Sequence, residues 1–324
     1  MDTWQDPSFH GLTSADRNGI SLNSALEAQS HLSALGFAVA KLKAWLPRQS
    51  DQYGGLGVIL LVTFLLYLFS LPKEFTNWDD PEYILNNPLI RSLSLTNLNR
   101  ILTEPYFANY APVTLLSYAL DYRFFGLKAA GYHIHNVLLH LACIVTLYFL
   151  LLKLGLSKRV VLLSALLFAV HPVNVESVSW ASERKNLLAT FFFLLSFYQY
   201  IRYRELGSRA HYLGSLLFFQ LSILSKASTV VGPLVFILYD YCFHGKKIRE
   251  LTLYDKIPFI ASAEIITFFS INAAGARSAL HSYHTGGPLL SLFAAGDLFR
   301  QYFMLMFWPT ELSALYIALK APSF

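Results

Sequence analysis

Charge is scarce in this chain: only 14% of its 324 residues are Asp, Glu, Lys or Arg, against 55% hydrophobic. With a mean hydropathy of +0.44, that shortage excludes an ordinary soluble domain, whose charged share is about 25%, and leaves lipid as the solvent. Cysteine is scarcer still. Cys143 and Cys242 both lie inside apolar runs, which speaks against a disulfide framework and a zinc site. Nor does the chain open on a secretory signal, because residues 1–52 stay polar for too long and no small-residue cleavage pattern follows. The net charge of +5 does not point to nucleic acid, since the basic residues fall in short connections between apolar runs.

What the chain has in abundance is uncharged length. Apolar runs at 53–71, 131–152, 160–170, 186–203, 211–224, 230–243, 257–273 and 289–308 predict an all-α polytopic membrane protein of about eight transmembrane helices. The expected organisation is a cytoplasmic N-terminal segment, 1–52, followed by a transmembrane domain, 53–324. Within the first, 31–46 carries Leu32, Leu35, Val39, Leu42 and Leu46 at helical spacing, an amphipathic helix suited to the membrane face. Lys41, Lys43 and Arg48, then Lys153, Lys158 and Arg159, then Arg202, Arg204 and Arg209, then Lys246, Lys247, Arg249 and Lys256 occupy alternate connections. The positive-inside rule assigns those connections to the cytoplasm. The others, 72–130, 171–185, 225–229 and 274–288, are then extracytoplasmic, where nucleotide-sugars are scarce and any chemistry must use lipid-linked or exported substrates.

The first outer connection is the long one. It opens on Asn77-Trp78-Asp79-Asp80-Pro81, and two apolar stretches in it, 88–101 and 113–125, predict interfacial helices lying along the membrane. Two adjacent carboxylates where a chain leaves a bilayer suggest a reactive site. The plainer alternative is that they cap a short loop helix with Pro81 at its first position. His133 and His135 are two apart and so point to different faces of a helix, a poor arrangement for one metal ion. Scarce charge at the span centres, together with the lack of inverted-repeat spacing, argues against a transporter.

Taken in order, Asn77-Trp78-Asp79-Asp80-Pro81-Glu82-Tyr83-Ile84, Asn109-Tyr110-Ala111-Pro112, Gly131-Tyr132-His133-Ile134-His135-Asn136, His171-Pro172-Val173-Asn174-Val175-Glu176 and Arg184-Lys185-Asn186-Leu187 resemble one family. It is the GT-C family of membrane glycosyltransferases, in particular the transmembrane O-mannosyltransferases with tetratricopeptide repeats and their bacterial relatives. The resemblance covers roughly residues 75–315 and implies a GT-C-like bundle.

The activity it implies is transfer of a hexose from a polyprenyl-phosphate carrier to a hydroxyl of a protein or glycan acceptor, on the extracytoplasmic face. Asp79 would be the general base and Asp80 its neighbour, with inversion at the anomeric carbon. Arg184, Lys185 and Lys226 would contact the donor phosphate; Asn109, Tyr110, His171 and Glu176 would contact acceptor or sugar. No cofactor is fixed, and the resemblance leaves a divalent metal at Asp79 and Asp80 open. Arg277, His281 and His284, in the last outer connection, match no motif. An acid commonly follows the lysine in that family, and Ala227 stands there instead, which predicts loss of a Lys–Glu pairing. That departure, and the lack of any tetratricopeptide pattern, keep open a catalytically silent scaffold of the same fold. The membrane expected is a bacterial inner membrane, or the endoplasmic reticulum in a eukaryote.

Overall fold

The computed structural model describes residues 52–243, 253–276, 288–310 and 312–313. The expected helix at 31–46, the basic residues Lys246, Lys247 and Arg249, and Arg277, His281 and His284 lie outside the described residues. The chain divides into two units, Met1–Gly54 and Gly55–Phe324, and the buried cores lie within the second.

Every apolar run became a helix. They are α1 (Gln52–Tyr67), α4 (Ala129–Lys153), α5 (Lys158–Val170), α7 (Arg184–Leu206), α8 (Arg209–Ile223), α9 (Gly232–Phe243), α10 (Ile257–Ala276) and α11 (Pro288–Phe307). Between them come α2 (Leu95–Thr103), α3 (Pro112–Phe125) and α6 (Asn174–Ser179). Among the described residues there is no strand, only an isolated bridge between Tyr106 and Asn109. By length and composition Tyr53–Ser70 and Ala129–Lys153 can cross a membrane. The helices α5, α8 and α9, at 13, 15 and 12 residues, fall short of the ~20 that a perpendicular crossing takes.

Small residues and hydroxyls set the closest packing. In the α7–α8 hairpin, turned by Gly207 in a left-handed conformation (φ 64°), Ser196 and Ser215 donate to each other's carbonyls at 2.8 and 2.9 Å, and Ser222 donates to Ala189 O at 2.8 Å. Such pairs hold helices together where no water competes. Around the hairpin, Tyr200, Phe219, Phe236 and Phe259 fill a fully buried aromatic core against α9 and α10. A second core joins α1, α4 and α5 through Ile59, Ile144, Tyr148 and Val161.

The first outer connection forms a third core together with Tyr132 of α4 and Ala181. Tyr83, Ile84, Leu89, Ile90, Ile101, Leu115, Tyr118 and Tyr132 pack into one buried cluster, so 72–130 is a built layer. The single interfacial helix expected over 88–101 is broken in two. Leu89–Arg91 is one 3₁₀ turn, Ser92 is extended, and Ser94 then caps α2 by accepting from Asn97 N. Two serines so close together favour a cap over a continuous helix because their side chains compete for backbone donors.

One helix end departs from expectation. His171, at the end of α5, contacts Met306 O in the last turn of α11 at 3.0 Å. These two ends therefore share a side, whereas an eighth crossing starting from an extracytoplasmic 274–288 connection would carry Met306 to the opposite one.

Candidate functional site

Pro81 does begin a short helical turn, Pro81–Leu85, with Asp80 in the capping position, but the Asp80 carboxylate makes no cap bond. It turns instead to other partners. Thr76 N and Thr76 Oγ1 donate to Oδ2 at 2.8 and 3.0 Å, and Ser182 N donates to Oδ1 at 2.8 Å. Asp80 is completely buried. Three donors on a buried carboxylate make it a structural tie between the first and second outer connections.

Asp79 is the accessible member of the pair, with a third of its side chain exposed, and its Oδ2 lies 3.6 Å from Lys185 Nζ. Lys185 also pairs with Glu183 Oε1 at 2.8 Å and sits over the Tyr83 ring, 5.2 Å from its centre. Burial alone would lower the Lys185 ammonium, but Glu183 with Tyr83 and Asp79 holds it above the usual lysine range. Tyr83 in turn accepts from Asn109 Nδ2 at 2.6 Å. Burial raises its phenol, against the lowering effect of Lys185.

Arg184 and Lys185 are adjacent on one helix and so point about 100° apart; they cannot both face the opening. Arg184 is fully buried. It pairs with Asp121 Oδ2 at 2.5 Å, donates to Asn136 Oδ1 at 2.8 Å and Tyr132 O at 3.0 Å, and lies over the Tyr118 ring. With no exposed surface and this set of partners, Arg184 is an internal brace and has nothing left for a donor phosphate.

Lys226 is reached from another direction. Its Nζ donates to Asn186 Oδ1 at 2.5 Å and lies 3.8 Å from Glu183 Oε2. The Lys–Glu pairing expected to be lost with Ala227 is therefore made, with Glu183 of the second outer connection as the acid. Burial lowers the Lys226 ammonium, and Glu183 partly restores it. Glu176 is an exposed residue near the same charges, and partial desolvation, reinforced by Glu183, raises its carboxyl. Asp79, Lys185, Glu183, Lys226 and Glu176 thus form one charged cluster, with Asn109 joined through Tyr83. Glu183 is not among the contacts expected from sequence; the alternation Glu183-Arg184-Lys185-Asn186 was the available signal.

The remaining expected contacts lie apart. Tyr110 donates to Leu102 O at 2.7 Å and stacks on Phe269 of α10. His171 accepts from Val173 N at Nδ1, which leaves the proton on Nε2 facing Met306 O. It lines a largely apolar cavity of about 1180 Å³, whose wall runs from Trp78 and Trp180, past Glu176, to Phe168 and Met306. Trp78 and Trp180 meet edge to face at 6.1 Å. Among the described residues, no group of three His, Cys, Asp or Glu side chains is placed to hold a metal ion.

The described residues thus set a carboxylate–lysine cluster on a helical frame, with Glu176 and Trp78 lining a largely apolar cavity beside it. The proteins this chain resembles are named protein O-mannosyl-transferases. It is 30% identical over 230 residues to protein O-mannosyl-transferase TMTC2 of Homo sapiens, a match spanning 65% of this chain and 27% of that protein. Over 219 residues it is 27% identical to protein O-mannosyl-transferase F38B6.6 of Caenorhabditis elegans, covering 60% of this chain and 29% of that one. Against protein O-mannosyl-transferase Tmtc1 of Drosophila melanogaster the identity is 32% over 166 residues, with 48% and 19% covered. The chain therefore spans less than a third of the length of these relatives. No family model and no solved structure matches.

Proposed function

We propose that this chain transfers a hexose from a polyprenyl-phosphate carrier to a hydroxyl acceptor at the extracytoplasmic membrane face, with Asp79 as general base. The names of its relatives favour mannose as the sugar and a protein as the acceptor. The observation that carries the reading is the division of labour in the acidic pair. Asp80 is buried and saturated, while Asp79 keeps an open carboxylate 3.6 Å from a lysine.

In the proposed step the acceptor hydroxyl gives its proton to Asp79 as its oxygen bonds to the anomeric carbon. The bond from that carbon to the phosphate oxygen breaks on the opposite face, so configuration inverts. Polyprenyl phosphate leaves with both electrons of that bond, and as a good leaving group it needs no general acid. Lys185 and Lys226 supply cations for its charge. One carboxylate serves here, unlike the flanking pair of a glycoside hydrolase.

Lipid is the solvent that suits the outer surface. Leu163, Leu213, Leu217, Phe268 and Phe299 are all more than half exposed on α5, α8, α10 and α11, more apolar surface than water tolerates. A multi-pass arrangement with Asp79 on the outside follows from the basic connections. Its last helix ends beside His171 on that same side. The silent-scaffold reading loses one of its two supports, because Lys226 has kept an acidic partner.

The test is transfer of labelled hexose from a synthetic polyprenyl-phosphate donor into acceptor peptide, using membranes containing this chain. Label that vanishes with Asp79→Asn is the expected result. Equal transfer by a folded Asp79→Asn variant removes the base assignment.

A further inference from the structure

Beside Asp79, Glu183, Asn186 and Lys226 close into a ring of three polar side chains, and Lys185 joins it through Glu183. Glu183 Oε1 meets Lys185 Nζ at 2.8 Å, Glu183 Oε2 accepts from Asn186 Nδ2 at 2.5 Å, and Lys226 Nζ donates to Asn186 Oδ1 at 2.5 Å while lying 3.8 Å from Glu183 Oε2. Asn186 is pinned from outside by Ser177 Oγ at 3.1 Å. The ring joins the turn Ala181–Glu183, the first turn of α7 and the connection after α8. We infer that Glu183 is a positioning residue that holds Lys185 and Lys226 together as one cationic pair for a phosphate-bearing ligand. The inference rests on the reading above for what the lysines face; the ring itself does not.

Two ammonium groups brought to one carboxylate in a half-buried place would otherwise repel, and each would tend to lose its proton. Glu183 sits between them with 9% of its side chain exposed, and the two lysines differ in how firmly they are held. Lys185 is close and 15% exposed; Lys226 is more distant and 35% exposed. Lys226, held by Asn186 at 2.5 Å and more exposed than Lys185, is accordingly the arm that presents to a phosphate oxygen while Lys185 stays on Glu183. The charged groups facing Lys226 are Glu183, Lys185 and, from α6, Glu176. The other nearby elements offer hydroxyls, with Thr229 Oγ1 bonded to Lys226 O and to Ser222 Oγ.

The test that needs no transfer activity is trace acetylation of the full chain in detergent across about pH 7 to 11, with labelling at Lys185 and Lys226 read by mass spectrometry. Glu183→Gln is expected to lower the half-labelling pH of Lys226 by about one unit or more. Glu183→Asp, which keeps the charge one methylene further back, is expected to lower it by less. An unchanged Lys226 profile in folded Glu183→Gln overturns the proposal. If that variant does not fold, Glu183→Asp decides alone, a fall supporting the ring and an unchanged profile overturning it. With polyprenyl-phosphate hexose as donor, Glu183→Gln is expected to raise the donor KM about tenfold with a smaller change in kcat. A loss confined to kcat counts against positioning. Absence of transfer by the unaltered chain overturns the donor reading and leaves the acetylation profiles to judge the ring.

Discussion

The Ser182 amide donates to the Asp80 carboxylate at 2.8 Å across 102 residues of chain. That bond sets the second outer connection against the first, and so fixes where Lys185 stands relative to Asp79. Neighbouring aspartates in one motif thus have separate tasks.

Removing Asp80 is therefore expected to act on stability first. Asp80→Ala strands the buried Ser182 amide and the part-buried Thr76 amide and hydroxyl, a loss of about 2–4 kcal/mol, seen as a lower apparent melting temperature in detergent. Asp79→Asn leaves melting close to that of the unaltered chain while abolishing transfer. A folded Asp80→Ala variant that melts normally would show the tie to be dispensable.

Arg184 tests the second assignment. Arg184→Met leaves Asp121 as a buried, half-partnered carboxylate and frees Asn136 Oδ1 and Tyr132 O, at a cost of about 3–5 kcal/mol. Adding Asp121→Asn is expected to recover part of that loss, because the uncompensated charge goes with it. If Arg184 were instead a phosphate contact, Arg184→Met would melt normally and raise only the donor KM.

Glu176 gives a dependence on pH. Its folded carboxyl is raised above 4.5 by partial desolvation and by Glu183, so the folded chain holds that proton more tightly than the unfolded one. Stability from this group is then present at low pH and is lost as pH rises from about 4.5 through the raised value. Glu176→Gln cannot lose a proton, and its melting temperature relative to the unaltered chain is expected to climb across that window. A difference independent of pH would remove Glu176 from the charged cluster.

The helices were legible because lipid demands long apolar runs, and each of the eight runs became one. Pairings across the chain were not. Nothing at Lys226 announces that its acid is Glu183, since the two meet only after α7 and α8 have folded back into a hairpin. Adjacent Arg184 and Lys185 read as equals in sequence; helix geometry sends one into the interior and the other to the opening. The position of the α11 end was hidden for another reason. Hydropathy measures how apolar a helix is, whereas the contact between His171 and Met306 depends on where the helix lies.

A second charged cluster sits far from the proposed chemistry and offers a control on how buried ions serve this fold. Asp240 Oδ2 accepts from Tyr200 at 2.8 Å and from Lys256 at 2.5 Å, and Asp240 Oδ1 meets Arg204 at 3.0 Å. Asp255 pairs with Lys256 at 2.8 Å and Arg204 at 3.4 Å. Two anions and two cations balance at the junction of α7, α9 and α10, so losing one member leaves an unpaired charge in a dry place. Asp240→Leu alone is expected to destabilise by about 3–5 kcal/mol. The double variant Asp240→Leu with Lys256→Met restores balance by leaving Arg204 to Asp255, and is expected to melt closer to the unaltered chain than the single one does. Additive losses in that double-mutant cycle would mean that the two residues are not coupled. Because this cluster touches neither Asp79 nor the lysine pair, the rate of transfer per folded molecule should be the same in the double variant as in the unaltered chain.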